Sequence, residues 1–446
     1  MRPGMEKAIA VFDIGKTNKK FLLFGLGYKL IAEEEIKFPE IEDDDGFPCD
    51  DIGKIETWMK NVLKKVLDEG KYELAGLNFA TYGATIAFLN SEGKRCAPVY
   101  NYLKPMPALL KEKFNRRHNG NGDFFRKTAS PDLGLLNSGM QAYYLKYAKP
   151  ALFINVKTIL HLPHYFAGLF NGRASAELTS IGCHTAMWDF DKSQYHQWLS
   201  DEGIILPAPE KNDTVIECEF AGHKINSGIG IHDSSASLVP YLKAGGKFVL
   251  ISSGTWCINM NPFNQTPLTK EELEKDCLCY LSAEGKQVKS SRFFMGHYHD
   301  SFLAQLEEVF SAEKGAFKNV SPDIEKLHSW MNENTPPLFG AGTELPAMVS
   351  FSSFGEAYNR LMFDLTMMEI ESLSLVIPPD DTTENIYISG GFAANPIFTR
   401  LIASRFCNKN VYISEVPNST ALGAAMALNL FESDIDLGLK KIEPLF

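Results

Sequence analysis

Ala8-Ile9-Ala10-Val11-Phe12-Asp13-Ile14-Gly15-Lys16-Thr17-Asn18-Lys19-Lys20-Phe21-Leu22-Leu23-Phe24 is an apolar run, a polar turn holding one glycine, and a second apolar run. Runs this short, bounded by turn residues, read as buried strands, so the segment predicts strand, turn, strand. The layout returns far downstream: Lys247–Ile251, the turn Ser252-Ser253-Gly254-Thr255, then Trp256–Met260. Two copies of one unit predict two related domains, each opening with a hairpin whose turn faces a shared cleft.

Working outward, Ile55, Trp58, Met59, Val62, Leu63 and Val66 recur at helical spacing, which predicts a helix over Ile52–Leu67, and Leu74–Ala80 follows as a strand. Tyr358–Leu375 is a long helical pattern, Asn385–Ser389 a buried strand, Pro396–Phe406 a helix and Val411–Ile413 another strand. The class is therefore α/β. Leu206–Ile225 is polar, holds two prolines and lacks helical periodicity, so it is the expected crossing between a first domain, 1–225, and a second, 226–446. A chain of 446 residues suits two domains, because one core seldom grows past roughly 250–300 residues.

A net charge of -11 gives nucleic acid and anionic membranes no general attraction. No apolar run approaches the roughly 18 residues of a membrane span, and Met1 to Ala8 lacks the apolar stretch of a signal peptide. Only Cys277 and Cys279 of the eight cysteines are close in sequence, and one intervening residue is not zinc spacing. A cytoplasmic protein with free thiols is the expectation. Glu42–Asp45 reads as a solvated loop, and His161, His164, His297 and His299 as structural or exposed.

Four stretches can carry chemistry. In Asp13–Lys20, Gly15 lets backbone N–H groups approach phosphates, Lys16, Thr17, Asn18 and Lys20 add donors and positive charge, and Asp13 suits a hydrated Mg²⁺. It is not a P-loop, since the G-x-x-x-x-G-K-[ST] spacing is absent and a strand follows rather than a helix. In the second turn, Gly254 and Thr255 can wrap a terminal phosphate from the opposite side. Gly390-Gly391 ends a strand, and with Asn395 before the next helix leaves backbone for a base or ribose to lie against. In His232-Asp233-Ser234-Ser235-Ala236-Ser237, Asp233 opens a helix, either as its N-cap or as a base that accepts a hydroxyl proton. Each turn taken singly also fits an ordinary exposed bend.

Together these motifs resemble the FGGY carbohydrate kinases, a branch of the actin/hexokinase/Hsp70-like ATPases. Within that family they look most like the rhamnulokinase and L-fuculokinase types, through residues 232–237, Ser252–Trp256, Glu284-Gly285 and Phe294-Met295-Gly296. The resemblance implies two actin-like (ribonuclease H-like) domains flanking a nucleotide and sugar cleft. It implies ATP and Mg²⁺ at Asp13–Lys20, Gly254, Thr255, Gly390, Gly391 and Asn395. It makes Asp233 the proton acceptor and His232 and Ser234 sugar contacts. Tyr82-Gly83 stands where the family shows Trp-Gly beside the sugar, and Asn101 lies where relatives have a Tyr-Arg-Asp-like run whose Arg and Asp this chain lacks. Glu177 resembles a segment lining the sugar side.

The expected activity is phosphorylation of a small ketose, of the rhamnulose, fuculose or xylulose kind. The competing readings are an ATP-binding regulator or filament former on the same scaffold, and an ATP or polyphosphate hydrolase. A small sugar is the expected partner, with neither nucleic acid nor membrane, and a homodimer is left open.

Overall fold

Short strands buried on both faces, punctuated by polar turns, assemble into two sheets of seven strands each. The structure, a computed structural model, describes residues 5–119, 122–333, 335–340, 351–432 and 435–446. In the first sheet β1 (Glu6–Ile14) pairs antiparallel with β2 (Lys19–Phe24), and β3 (Leu30–Ile36) flanks β2. Helix α1 (Ile52–Glu69) begins at an Asp51 cap, ends at left-handed Gly70, and leads into β4 (Tyr72–Thr81), which lies parallel to β1. Ala8 to Phe12 are wholly buried, as a central strand covered on both faces requires.

Short helix α2 (Leu178–Ile181) precedes the hairpin β5 (Val215–Phe220) and β6 (His223–Gly228) and the two-residue strand β7 (Ile231–His232). These strands complete the first sheet: β5 pairs β6, while β6 and β7 both run parallel to β4. The expected crossing at Leu206–Ile225 is thus in part an edge hairpin, and the first sheet ends at His232 rather than at 225. Polar alternation on an edge strand looks like linker composition, which is why the segment misreads.

Helix α3 (Asp233–Ala244) carries the chain into the second sheet, β8 (Phe248–Ser253), β9 (Cys257–Asn261), β10 (Cys277–Leu281) and β11 (Gln287–Phe293). Then come α4 (Met295–Val309), α5 (Phe354–Ser374), β12 (Asn385–Gly390), α6 (Pro396–Arg405), β13 (Asn410–Ile413), α7 (Ser419–Ala427) and β14 (Lys440–Lys441). The order β11-β9-β8-β12 repeats the β3-β2-β1-β4 order of the first sheet, and in each a further parallel strand lies beyond, β13 beside β12 and β6 and β7 beside β4. The repeat expected from the two hairpins is present. Between the sheets α3 and α7 cross so closely that a Cβ on Gly423 would lie 1.8 Å from the Ala236 carbonyl oxygen.

The expected solvated loop at Glu42–Asp45 is instead docked. The Asp43 side chain is wholly buried on Lys104 at 2.7 Å, Asp45 bonds Lys104, Tyr144 and Lys149, and Lys104 lies over the Tyr100 ring at 4.7 Å.

Glu369, on α5, is fully buried, and neither carboxyl oxygen has a hydrogen-bond partner among the described residues. Burial pushes its proton affinity up to about 8, with the Asn259 side chain pulling it back only slightly. The fold therefore keeps this proton in a pH range where the unfolded chain has released it, so stability must fall as pH rises from the unfolded value toward 8. Replacing Glu369 by the neutral isostere (Glu369→Gln) should raise the melting temperature relative to wild type by an amount that grows from about pH 5 to about pH 8. A constant offset across that range, read by thermal denaturation, would show that Glu369 is ionised in the fold.

Candidate active site

Three parallel strand ends set the site. Asp13 on β1 aligns with Ala80 on β4, which aligns with Ile231 on β7, and one residue on, Ile14, Thr81 and His232 align in turn. Neighbouring strands lie about 4.8 Å apart, so Asp13 and the His232-Asp233 pair emerge at one end of the sheet two strands apart. Burial first, then the Asp233 charge, push the Asp13 carboxyl up to about 7, against the pull of Lys20. The first turn and the residue expected as base thus meet at one end of the sheet.

Asp233 is not the N-cap of its helix. The helix begins at Asp233 itself, and Asp233 Oδ1 accepts from the N–H of the adjacent Ser234 at 2.6 Å and from Ser234 Oγ at 3.2 Å. A cap would accept two or three residues on. The carboxylate is left one-third exposed, with His232 Nε2 3.1 Å from Oδ1. His232 is itself buried, its Nε2 3.2 Å from Cys183 Sγ, and Gly83 packs so tightly on it that a Cβ there would lie 2.8 Å from Nε2. His232, Ser234 and Gly83 are therefore brought together around Asp233.

The other two residues expected on the sugar side have their polar groups engaged within the protein. Tyr82 is buried and its hydroxyl donates to Asp50 Oδ2 at 2.7 Å. Asn101 donates to the Pro48 carbonyl at 2.9 Å and accepts from the Leu103 N–H.

In the first turn Gly15 packs 3.1 Å, by its absent Cβ, from the Asn18 carbonyl. The three lysines have carboxylate partners: Lys16 on Glu40 and Asp50, buried Lys19 on Asp50, and Lys20 on Glu33. Lys20, opposite Asp13 in the ladder, also reaches Asn418 Oδ1 across the interdomain gap at 3.1 Å. Thr17 is exposed, and Asn18 Oδ1 is a buried acceptor without a partner among the described residues. Two carboxylates in mutual repulsion, with an unpartnered amide oxygen in the turn that follows Asp13, offer hard-oxygen donors of the kind a hydrated Mg²⁺ takes.

Gly254 and Thr255 lie exposed in the turn between β8 and β9, and the Gly296 N–H at the start of α4 bonds the Thr255 carbonyl at 3.0 Å. Beyond the turn, Trp256 stacks on Phe294 at 4.2 Å and carries the Arg292 guanidinium over its ring at 5.4 Å. Arg292 is also a source of the field felt by Cys183 and His184, which ties the second turn to the Asp233 side. Gly390 and Gly391 are exposed at the end of β12, beside β8, and the Phe392 N–H bonds Ser253 Oγ at 3.1 Å. Asn395 caps α6 and donates to the Tyr358 hydroxyl at 2.9 Å.

Glu177, Thr179, Asn212, Cys183 and Arg292 were not singled out as partners of Asp233 by sequence; their link to it is long-range, and no local pattern marks it. Glu177 is wholly buried and caps α2 rather than lining the cleft. Among the described residues the one cluster of metal-ligating side chains is Asp43, Asp44 and Asp45, apart from this site. His299 bonds Tyr358 and Asp300.

Residues 245–435 match the family described as carbohydrate kinase FGGY, C-terminal domain. The chain is 24% identical to a rhamnulokinase of Halalkalibacterium halodurans, over 95% of this chain and 93% of that protein. A carbohydrate kinase from Novosphingobium aromaticivorans superposes with a TM-score of 0.79 at 23% identity, covering 99% of this chain and 95% of that one. A ligand-bound xylulose kinase from Lactobacillus acidophilus gives 0.77 at 15% identity, covering 98% and 94%. The fold is the one shared by these sugar kinases.

The glycine at 390 has φ +87°, and a Cβ would fall 1.9 Å from the Ser253 carbonyl oxygen. Gly390→Ala should therefore destabilise the second domain by roughly 2–3 kcal/mol or more, read as a lower urea midpoint. An unchanged midpoint would mean that this strand end is not held against β8.

Proposed function

Starting from an ATP-dependent carbohydrate kinase that carries an FGGY C-terminal domain at residues 245–435, we propose that this chain transfers the γ-phosphoryl group of ATP to a hydroxyl of a small ketose, with Asp233 as general base. The observation that carries the reading is the strand register that brings Asp13 and Asp233 to one end of the first sheet, near enough that the Asp233 charge helps raise the Asp13 carboxyl.

Asp233 accepts the proton of the sugar hydroxyl, the oxygen attacks the γ-phosphorus in line, and ADP leaves. The best-placed acceptor is a primary hydroxyl, the least hindered on such a sugar. His232 Nε2, 3.1 Å from Asp233 Oδ1, would help aim that carboxylate, while Gly83, lacking a Cβ, lets the His232 ring pack against its backbone. The Asp13–Lys20 turn, with Lys20 opposite Asp13, takes the phosphates of ATP from the first sheet, and Gly254 and Thr255 take them from the second. Lys16, tied to Glu40 and Asp50, shapes the turn and contributes backbone rather than its ammonium. Gly390 and Gly391 offer backbone to the adenosine. Asp13, through water, and Asn18 are the residues that would hold Mg²⁺, which neutralises phosphate charge when bound. Because the two turns sit on separate sheets, closing them excludes water and limits wasteful hydrolysis of ATP.

Asp233→Ala should lower sugar-dependent ADP release by about 10²–10⁴-fold, and near wild-type turnover in the folded variant would remove Asp233 as the base. Asp13→Asn should raise the Mg²⁺ concentration needed for half-maximal rate, whereas an unchanged titration would take Asp13 out of the metal site. Coupled assays on L-rhamnulose, L-fuculose, D-xylulose, L-ribulose and glycerol test the acceptor class. Phosphate release with no phosphosugar from any of them would sink the kinase reading.

A further inference from the structure

Strand β7, which delivers Asp233, spans two residues and pairs with β4 only at Ile231 and His232. So short a ladder leaves its carrier free to shift unless something else grips it. The grip comes from one buried carboxylate. Glu177 Oε1 accepts from Thr179 Oγ1 at 2.8 Å, and that hydroxyl in turn accepts the His232 N–H at 3.0 Å. Glu177 Oε2 accepts from Asn212 Nδ2 at 3.2 Å, and the same amide nitrogen reaches the Gly230 carbonyl at 3.3 Å. The backbone on either side of Ile231 is thereby tied, through one intermediary each, to opposite oxygens of a single anion. Gly230 is further confined. It has φ +93°, its N–H meets Asn78 Oδ1 at 3.2 Å, and a Cβ would strike Pro163 at 2.8 Å.

Glu177 is suited to anchor this. Burial opposes its charge, but His164 and its bonds to Ser180 and Thr179 overcome that and hold the carboxyl near 2. The N–H groups of Thr179 and Ser180, at 2.7 and 2.8 Å, occupy the oxygens from the helix side, and His164 Nε2 stands 3.4 Å away. All of these donors need an acceptor at both oxygens, which a carboxylate supplies and a carboxamide does not.

We propose that Glu177 is a positioning residue for Asp233, acting through Thr179 and Asn212 on the two ends of β7. The inference rests on the reading of Asp233 as the base and adds that the base is aimed by a carboxylate it never touches. A cap for α2 alone would need only the Thr179 and Ser180 N–H groups. The hydroxyl and amide links to β7 are what a positioning role requires.

The deciding pair is Thr179→Val, which keeps shape and removes the hydroxyl, and Thr179→Ser, which restores it. Thr179→Val should lower the kcat of sugar phosphorylation by about 10- to 100-fold with the KM for ATP unchanged, and Thr179→Ser should return kcat to near wild type. Asn212→Ala, at the other end of the strand, should lower kcat in the same way and serves if Thr179→Val fails to fold. A folded Thr179→Val or Asn212→Ala enzyme with wild-type kcat, beside an inactive Asp233→Ala enzyme, overturns the positioning role and leaves the base in place. A kcat loss that Thr179→Ser does not restore overturns it as well. An active Asp233→Ala enzyme overturns the base and the positioning role together.

Discussion

Three parallel strands held in one register are what the site cannot do without. Asp13, Ala80 and Ile231 lie side by side on β1, β4 and β7, and this alone carries two carboxylates from distant parts of the chain to one rim. Side chains alternate across a strand, so a slip of one residue on β1 would turn Asp13 to the other face of the sheet. Ala8 to Phe12 are all buried, so a slip would have to repack side chains of different size on both faces of the sheet. Core packing and site geometry are here the same constraint.

The charges of the first turn follow a related logic. Asp50 gathers Lys16, Lys19 and the Tyr82 hydroxyl, and Glu40 takes the outer side of Lys16. Burial alone would penalise the Asp50 carboxylate, but these donors reverse the balance and lower its proton affinity. The turn is therefore braced in shape by internal ion pairs before any anion arrives, so little reorganisation is needed on binding. Lys20, opposite Asp13 in the ladder, is the lysine whose charge Asp13 feels.

Much of this was legible in the residues themselves. The two hairpins, the helix over 52–69, the strand at 385–390 and the helix start at Asp233 rest on local periodicity and turn chemistry, which act over a few residues. What escaped depends on distance. The hairpin at 215–228 is polar because it is an edge, the acidic loop at 42–45 is docked through the enclosed Asp43 side chain only because Lys104 and Lys149 come to meet it, and Asp233 resembles a cap until its bonding partners are seen. Glu177, wholly buried, stood out only by resemblance, as lining the sugar side, and its ties to β7 have no local signature. The candidate residues that were legible are those on turns, where glycine and hydroxyl groups are conspicuous. Those that were not are buried polar groups whose meaning lies in what they touch.

The crossing of α3 and α7 has its own consequence. With only a hydrogen atom of Gly423 between the backbones, the helices meet without a side-chain layer, and any larger residue at 423 would force them apart. Because α3 begins at Asp233 and meets α7 at Ala236, less than one helical turn later, such a wedge would act within a few ångströms of the helix start that carries the carboxylate.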